Sequence, residues 1–463
     1  MKNTLILDNK NALMLKIILL ALPLTVILVY LDKVSLFIIL AVLGLAIFYV
    51  CFRQYTWIVL ILAIPTLTLG RIINIPITAD WVYEARLAEL ILFFISAIFI
   101  LDIYFNNKLK QLKVNFLFIL LLALTLVSMA SFFYIISFRY YIFGLKAVVF
   151  SFLAYWLALN LINSKERIKY FLYSLIASAL ILSVQLFVKF YQTGWSSKFF
   201  FERNTIFVPI GPVATSAAIL AFLTPIILAF YLSKQDDKKY RALIFAGFII
   251  SLLAVFLTLG KAAIFSLLVG LLFLIKNIKN KIPFVLMVLW FVVLVYFAFN
   301  PYLSGLFERV KTTFVDVNTE FRIKEYKTGW ELISEHPLIG VGAGQQLAHF
   351  KEKLDLESPQ QVNNYFLQPF IDLGVIGFSL VVLIFISVFK KAWQAAKNNP
   401  KNILVLGFTA ALIVAGLNGL AEVSFYALPY AIIFWLTMGA FENIFKRQPT
   451  NQQISHKSTN KHL

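Results

Sequence analysis

Residues 366–389 read FLQPFIDLGVIGFSLVVLIFISVF, a run in which Asp372 is the one charged side chain. An apolar run of about 20 residues has the length of one helix that crosses the hydrocarbon core of a bilayer. The strands of a membrane barrel alternate apolar and polar residues instead. The whole chain agrees with a helical membrane protein, since 61% of its residues are hydrophobic and its mean hydropathy is +0.86. We predict an all-α, polytopic integral membrane bundle.

Similar apolar runs recur along most of the chain. Fourteen segments are candidates, and two of them are short, so we expect twelve to fourteen membrane spans. The segments are 13–30, 34–51, 55–69, 87–105, 114–134, 144–162, 170–188, 213–232, 243–259, 262–275, 283–299, 366–389, 403–420 and 425–445.

Basic residues give these spans an orientation. Roughly 24 of the 41 Lys and Arg residues lie at the termini and in alternate loops on one side of the bundle, which the positive-inside rule assigns to the cytoplasm. Both termini are then cytoplasmic. The net charge of +19 follows from this topology and from contact with anionic lipids, and it requires no nucleic acid.

Four regions follow from the hydropathy. Residues 1–299 and 363–445 form the two parts of the transmembrane bundle, and residues 446–463 form a polar tail expected to be disordered in the cytoplasm. Residues 300–362 form one long hydrophilic segment outside the cytoplasm. Because structureless loops of that length are uncommon, we expect amphipathic helices and the chemistry of the protein there. The single cysteine, Cys51, excludes an internal disulfide.

This external segment contains RIKEYKTGWELISEHPLIGVGAG, which begins at Arg322. Helical spacing places Arg322, Tyr326, Trp330 and Ile333 on one stripe, and the helix is expected to end before Pro337. Such a helix on the membrane surface would hold the arginine at the depth of lipid headgroups. The alternative is an arginine that simply extends to water or to a lipid phosphate.

Gly340, Gly342 and Gly344 occupy every second position after this helix. Glycine permits backbone conformations that other residues avoid, so such a run can turn its N–H groups toward a phosphate. A plain turn is an equal alternative.

Two further external cations precede this segment. Arg203 lies in FFFERNTIFVPIGP, and Lys261 lies in LTLGKAAIFSLLVG between two closely linked spans. A lysine in that position tends to face a protein cavity, although it can also extend from a helix end to the interface. Together with Arg322, these residues could form an electropositive pocket suited to a pyrophosphate.

The order of these features resembles the bacterial O-antigen ligases and the related O-antigen and exopolysaccharide polymerases. The resemblance extends over residues 200–440. Motifs of that superfamily are similar to Arg322, Trp330, Glu335-His336-Pro337, Gly340-Val341-Gly342, the NNYFLQ that contains Asn363 and Asn364, the DLGVIG that begins at Asp372, and the segment around Lys261.

Three positions depart from the family pattern. Asn363 stands where the ligases carry histidine, Lys261 where arginine is usual, and Asp372 where glutamate is usual. Lysine keeps the positive charge but loses the bidentate geometry of arginine. In the ligases the histidine is thought to act on the acceptor hydroxyl, and asparagine cannot accept a proton near neutral pH. Ligase and polymerase therefore both stay open.

The resemblance implies an inverting transfer of a glycan from undecaprenyl pyrophosphate to a hydroxyl of another glycan, without a metal or cofactor, at the bacterial cytoplasmic membrane. The implied partners are this lipid-linked donor, a glycan or lipid A core acceptor, membrane lipids, and chain-length or export proteins. Arg203, Lys261 and Arg322 would stabilise the departing pyrophosphate. His336 and Glu422 are the candidate bases. Each has a plainer alternative, as a helix-terminal residue and as a hydrogen-bonding partner of a neighbouring helix.

Three alternatives to this function remain open. Asp80 and Glu84 could share a divalent cation, although Arg86 beside them favours an ordinary ion pair. A transporter or lipid-linked sugar flippase would more often show broken helices, whereas the spans here look uninterrupted. A non-catalytic partner in polysaccharide export is the third alternative.

Overall fold

The computed structural model describes residues 49–50, 53–78, 81–194, 206–233, 238–277, 317–356 and 360–445. These residues form a polytopic helical membrane bundle with two short hairpins, which confirms the predicted fold class. The predicted spans 13–30 and 283–299, most of 34–51 and the tail 446–463 lie outside the described residues.

Thirteen helices are described. Those before the external segment are α1 (Thr56–Leu67), α2 (Leu87–Phe105), α3 (Phe116–Ala130), α4 (Phe138–Leu161), α5 (Lys165–Gln192), α6 (Val213–Ser233), α7 (Lys238–Leu257) and α8 (Lys261–Lys276). Those that follow are α9 (Val317–Glu335), α10 (Gln346–Lys353), α11 (Leu367–Asn398), α12 (Ile403–Ala421) and α13 (Leu428–Phe445). Within the described ranges, eight helices are long and apolar enough to cross a membrane, namely α2 to α7, α11 and α12.

The centre of the bundle is α6, which packs against α5, α7, α8 and α12. Small residues allow close approach there: a Cβ on Gly407 of α12 would lie 2.1 Å from the Cβ of Ala229 on α6. On another side of the bundle α4 packs against α13. The large apolar core of the molecule lies between these helices.

Two antiparallel hairpins lie in loops of the bundle. The first pairs β1 (Arg71–Thr78) with β2 (Trp81–Arg86), and the second pairs β3 (Phe207–Val208) with β4 (Gly211–Pro212). These strands were not predicted, because hydropathy locates membrane spans and does not define the structure of the loops between them.

The long helix α11 is broken near its first turns. Gly374 has φ 62° and ψ −159°, which are not helical values. The expectation of uninterrupted spans is therefore wrong for this helix. The break is covered by protein, since the N–H of Val375 donates to the carbonyl of Pro337 at 2.9 Å and that of Val341 to Ile371 at 3.0 Å. Non-helical backbone at membrane depth is tolerated where protein buries it in this way.

Candidate active site

The helix α9 lies against the start of α11, and this packing decides which side chains face the protein. A Cβ on Gly329 would lie 2.9 Å from the Cδ1 of Ile371, so the glycine permits close approach. The predicted stripe is buried only in part: Ile333 is buried, but Trp330 is 56% exposed. Glu325 and Leu332, which lie outside the predicted stripe, are fully buried.

The helix α9 ends at Glu335, as expected from the proline at position 337. His336 follows as an exposed residue, and its backbone carbonyl accepts a hydrogen bond from the N–H of Gly340 at 3.1 Å. Its position matches the plainer, helix-terminal alternative. With a rise of about 1.5 Å per residue, His336 lies roughly 21 Å along the helix direction from Arg322.

Arg322 and Glu422 come together, although the sequence analysis proposed them independently. The Nη1 of Arg322 donates to the carbonyl of Ala421 at 3.4 Å, and Nη2 lies 3.7 Å from the Oε1 of Glu422. The two side chains are 38% and 22% exposed. This loose, partly exposed ion pair joins α9 to the end of α12.

Beside this pair, the side chain of Glu325 is hydrogen-bonded to Asn363. The Nδ2 of Asn363 donates to both carboxylate oxygens, at 3.2 and 2.9 Å. Burial raises the pKa of Glu325, while the bonds from Asn363 and the nearby charge of Arg322 oppose that shift. The Tyr326 hydroxyl donates to the backbone carbonyl of Asn363 at 3.3 Å.

The sequence analysis missed Glu325. The signal that could have found it is its position three residues after Arg322, which places both side chains on neighbouring parts of one helix surface.

Asn364 has a structural role at the start of α11. Its Oδ1 accepts hydrogen bonds from the N–H groups of Phe366 and Leu367, at 2.9 and 3.1 Å. Its Nδ2 donates to the carbonyl of Leu420 at 3.2 Å, which ties the helix start to α12.

The glycine run forms a turn that packs onto the break in α11. Gly340, Gly342 and Gly344 all have positive φ, at 69°, 107° and 72°. The N–H of Gly342 donates to the carbonyl of Asp372 at 2.7 Å, and that of Gly340 to His336. These two N–H groups donate to carbonyls of the protein, as the plain-turn alternative expects.

Asp372 is buried beneath this turn. Its carboxylate accepts hydrogen bonds from the N–H of Gln346 at 3.2 Å, the side chain of Gln368 at 3.0 Å and the hydroxyl of Tyr426 at 3.4 Å. These donors come from three segments of the chain. The aspartate therefore holds the glycine run, α11 and the connection after α12 together.

Lys261 begins α8 as an exposed residue at the same end of the bundle. The helices α8 and α12 cross where a Cβ on Gly270 would meet Val414 and Ala410. Lys261 and Ala421 lie at comparable distances from this crossing on antiparallel helices, so both reach the end that carries Arg322. Arg203 lies outside the described residues. The three-cation pocket stays a prediction.

Two other places in the molecule are possible sites. A polar cavity of about 530 Å³ lies at the opposite end of the bundle, where its lining includes Arg53, Lys108 and Arg167. Across the described ranges, no group of three or more His, Cys, Asp or Glu side chains could hold a metal ion. Asp80 and the side chain of Glu84 fall outside the described residues.

Residues 246–382 match the family model described as O-Antigen ligase. The match includes Lys261, α9 with Arg322 and Glu325, the glycine run, Asn363 and the start of α11, whereas every residue that lines the opposite cavity precedes it. No curated protein matches the chain at a significant level. Over these residues, the match confirms the resemblance of the chain to the O-antigen ligase and polymerase superfamily.

Proposed function

We propose that this multi-pass membrane protein transfers or polymerises an oligosaccharide from an undecaprenyl-pyrophosphate donor onto a glycan hydroxyl. The reaction takes place at the outer face of the bacterial cytoplasmic membrane, with both termini of the chain in the cytoplasm. The match to the O-antigen ligase model supports a glycan ligase or polymerase in general terms. The donor, the acceptor, inversion at the anomeric carbon and independence from metals are the finer parts of the proposal.

The observation that carries this proposal is the environment of Arg322. The residue lies inside the matched segment, 38% of its side chain is exposed, and its ion-pair partner Glu422 is 3.7 Å away. A guanidinium has five N–H donors, which these two loose contacts do not saturate. It is thus suited to hold a pyrophosphate in two-point geometry.

In the proposed reaction, the acceptor hydroxyl oxygen attacks the anomeric carbon as the bond from that carbon to the pyrophosphate oxygen breaks. Undecaprenyl pyrophosphate leaves with the bonding electron pair, and the hydroxyl proton passes to a base. Arg322, with Lys261 and Arg203, stabilises the negative charge that develops on the leaving group. Glu422 is the base in this proposal, because it adjoins Arg322 while His336 lies at the other end of α9.

A transporter or lipid-linked sugar flippase is the second candidate, and the break in α11 is the observation that favours it. Broken helices often form substrate sites in transporters. Here the backbone groups freed near Gly374 bond to residues 337–342, so the break joins two parts of the protein. We therefore rank the transferase first. A non-catalytic export partner, in a complex with chain-length or export proteins, is the third.

Purified protein in vesicles with a defined undecaprenyl-pyrophosphate oligosaccharide distinguishes these functions. Longer glycans identify a polymerase, and transfer to lipid A core identifies a ligase. Movement of the lipid across the bilayer without release of undecaprenyl pyrophosphate identifies a transporter. If the protein neither transfers the glycan nor moves the lipid, only the role of a non-catalytic partner in polysaccharide export remains.

In the same assay, Arg322→Ala should lower the release of undecaprenyl pyrophosphate by about 10²–10³-fold, the effect of removing one group that stabilises transition-state charge. Arg322→Lys should release undecaprenyl pyrophosphate at a rate between those of the wild type and Arg322→Ala, because lysine keeps the charge without the bidentate geometry. Lys324→Ala is the matched control, since Lys324 is exposed on the same helix. Full turnover by Arg322→Ala would remove Arg322 from the site.

A further inference from the structure

The side chain of Asn363 is held in one orientation by a buried carboxylate. Glu325 is fully buried, and both of its carboxylate oxygens accept from the Nδ2 of Asn363. An ionised carboxylate has no hydrogen to donate, so it selects the amide nitrogen of Asn363 and excludes the amide oxygen. The Oδ1 of Asn363 must then point away from Glu325.

The backbone at this position is also fixed. The carbonyl of Asn363 accepts from the hydroxyl of Tyr326 at 3.3 Å, and the Oδ1 of the next residue, Asn364, accepts from the N–H of Phe366 at the start of α11. In the part of the chain that the structure describes, no donor approaches the Oδ1 of Asn363 within hydrogen-bond distance. Asn363 itself is only partly buried. An oriented acceptor therefore stands beside the Arg322 and Glu422 pair.

We propose that Glu325 orients the carboxamide of Asn363 so that its Oδ1 accepts a hydrogen bond from the attacking hydroxyl of the acceptor glycan. The two residues are positioning residues, and this role rests on the proposed transferase function. The amide does not take the proton. It fixes the direction of the hydroxyl while the proton passes to the base.

A buried charge supports a positioning role more than a role in stability. Burying a carboxylate is unfavourable unless the group is paired and hydrogen-bonded, and Arg322, whose charge lowers the pKa of Glu325, also pairs with Glu422. Ionisable groups kept in such surroundings at a concave or partly exposed site are candidates for function.

The orientation should depend on pH, because a protonated Glu325 can donate as well as accept and no longer selects one face of the amide. Burial raises the pKa of Glu325. The groups that face it are Arg322 on its own helix, Asn363 before α11 and Glu422 after α12, of which the first two lower the pKa and the last raises it. Turnover should therefore fall as the pH drops through a value above the ordinary range of glutamate.

The test uses full-length protein in vesicles with an undecaprenyl-pyrophosphate oligosaccharide and a glycan acceptor. Glu325→Gln is nearly the same size, and it should lower kcat by an order of magnitude or more, up to about 10²-fold, through misplacement of the hydroxyl. The Michaelis constant for the lipid-linked donor should stay unchanged. The acidic limb of the pH profile should move to lower pH, because its Glu325 component is removed while the base remains. Glu331→Gln, an exposed glutamate on the same helix, is the matched control.

Two further variants separate positioning from folding. Asn363→Ala should lower kcat to the same degree as Glu325→Gln, and the double variant should lower it no further, because both changes remove one oriented oxygen. Thermal unfolding in detergent should be similar for wild type and Glu325→Gln.

Full turnover by Glu325→Gln, an unchanged acidic limb or additive losses in the double variant would overturn the positioning role alone. Absence of glycan transfer by the wild-type protein would overturn the proposed function and this role with it.

Discussion

The glycine run and the charged face of α9 belong to one external segment, and the sequence analysis assigned both to the pyrophosphate. In the glycine run, the N–H groups of Gly340 and Gly342 donate to carbonyls of the protein. On α9, Arg322 remains partly exposed, with the carbonyl of Ala421 at 3.4 Å and the carboxylate of Glu422 at 3.7 Å. A donor that already has a buried acceptor stabilises the fold, and its release would leave an unsatisfied group. A partly exposed cation with a loose partner can exchange that partner for a ligand.

The largest effect is expected from a variant that tests the structural role of the glycine run. In Gly344→Ala, the new Cβ would lie 2.1 Å from the carbonyl oxygen of Tyr140 on α4, at a backbone φ of 72°. Neither backbone can yield without opening the contact between the glycine run and α4. We expect little or no folded protein, measured as the monodisperse fraction in detergent.

Gly194→Ala is the matched control for that variant. Gly194 has nearly the same φ, 70°, but among the described residues nothing lies within 4 Å of an added Cβ. Only the backbone strain remains, at about 1–2 kcal/mol. Equal stability of the two variants would show that the glycine run does not pack against α4.

A smaller effect is expected for Asp372→Ala, beneath the same glycine run. The change leaves the N–H of Gln346, the side chain of Gln368 and the hydroxyl of Tyr426 without their buried acceptor. We expect the free energy of unfolding to fall by roughly 3 kcal/mol, and Asp372→Asn to lose less, because its Oδ1 still accepts. Thermal or denaturant unfolding in detergent measures both.

Asp102→Ala provides the comparison at the opposite end of the bundle. Asp102 pairs with Lys108 at 2.8 Å, where the lysine side chain is 43% exposed. Such pairs contribute about 0–1 kcal/mol. If Asp372→Ala were no more destabilising than Asp102→Ala, the aspartate would not hold the turn and α11 together.

Much of the fold follows from local properties of the sequence. Hydropathy located the described spans, and α2 occupies the predicted residues 87–105. Proline set the end of α9. Hydropathy and proline each determine a feature of a single helix, so both can be interpreted from sequence alone.

The candidate site was less accessible to sequence reasoning. The buried face of α9 is decided by the contact of Gly329 with α11, and periodicity alone favoured Trp330 over Glu325. Arg322 and Glu422 lie far apart in sequence and meet because α9 packs on α11, which in turn packs on α12. Their contact depends on tertiary packing, which the spacing of residues along one helix does not predict.

The smallest effect is expected from a variant that tests whether the chemistry takes place at the Arg322 end of α9. His336 was a candidate base, but it is exposed beyond the end of α9, roughly 21 Å along the helix direction from Arg322. At that separation it cannot take a proton from a hydroxyl that attacks beside Arg322. His336→Ala should therefore leave glycan transfer unchanged between pH 6 and 8, whereas loss of a general base lowers turnover by about 10²–10⁴-fold.

The same variant has a second, local readout. Burial lowers the pKa of His349, and the neighbouring charges of His336 and Lys353 lower it further. Removing His336 should raise the pKa of His349 while glycan transfer stays the same, which shows that the substitution reached its surroundings without reaching the chemistry. If His336→Ala instead abolished transfer, the active site would lie at the end of α9 next to the glycine run. Arg322 would then have a structural role.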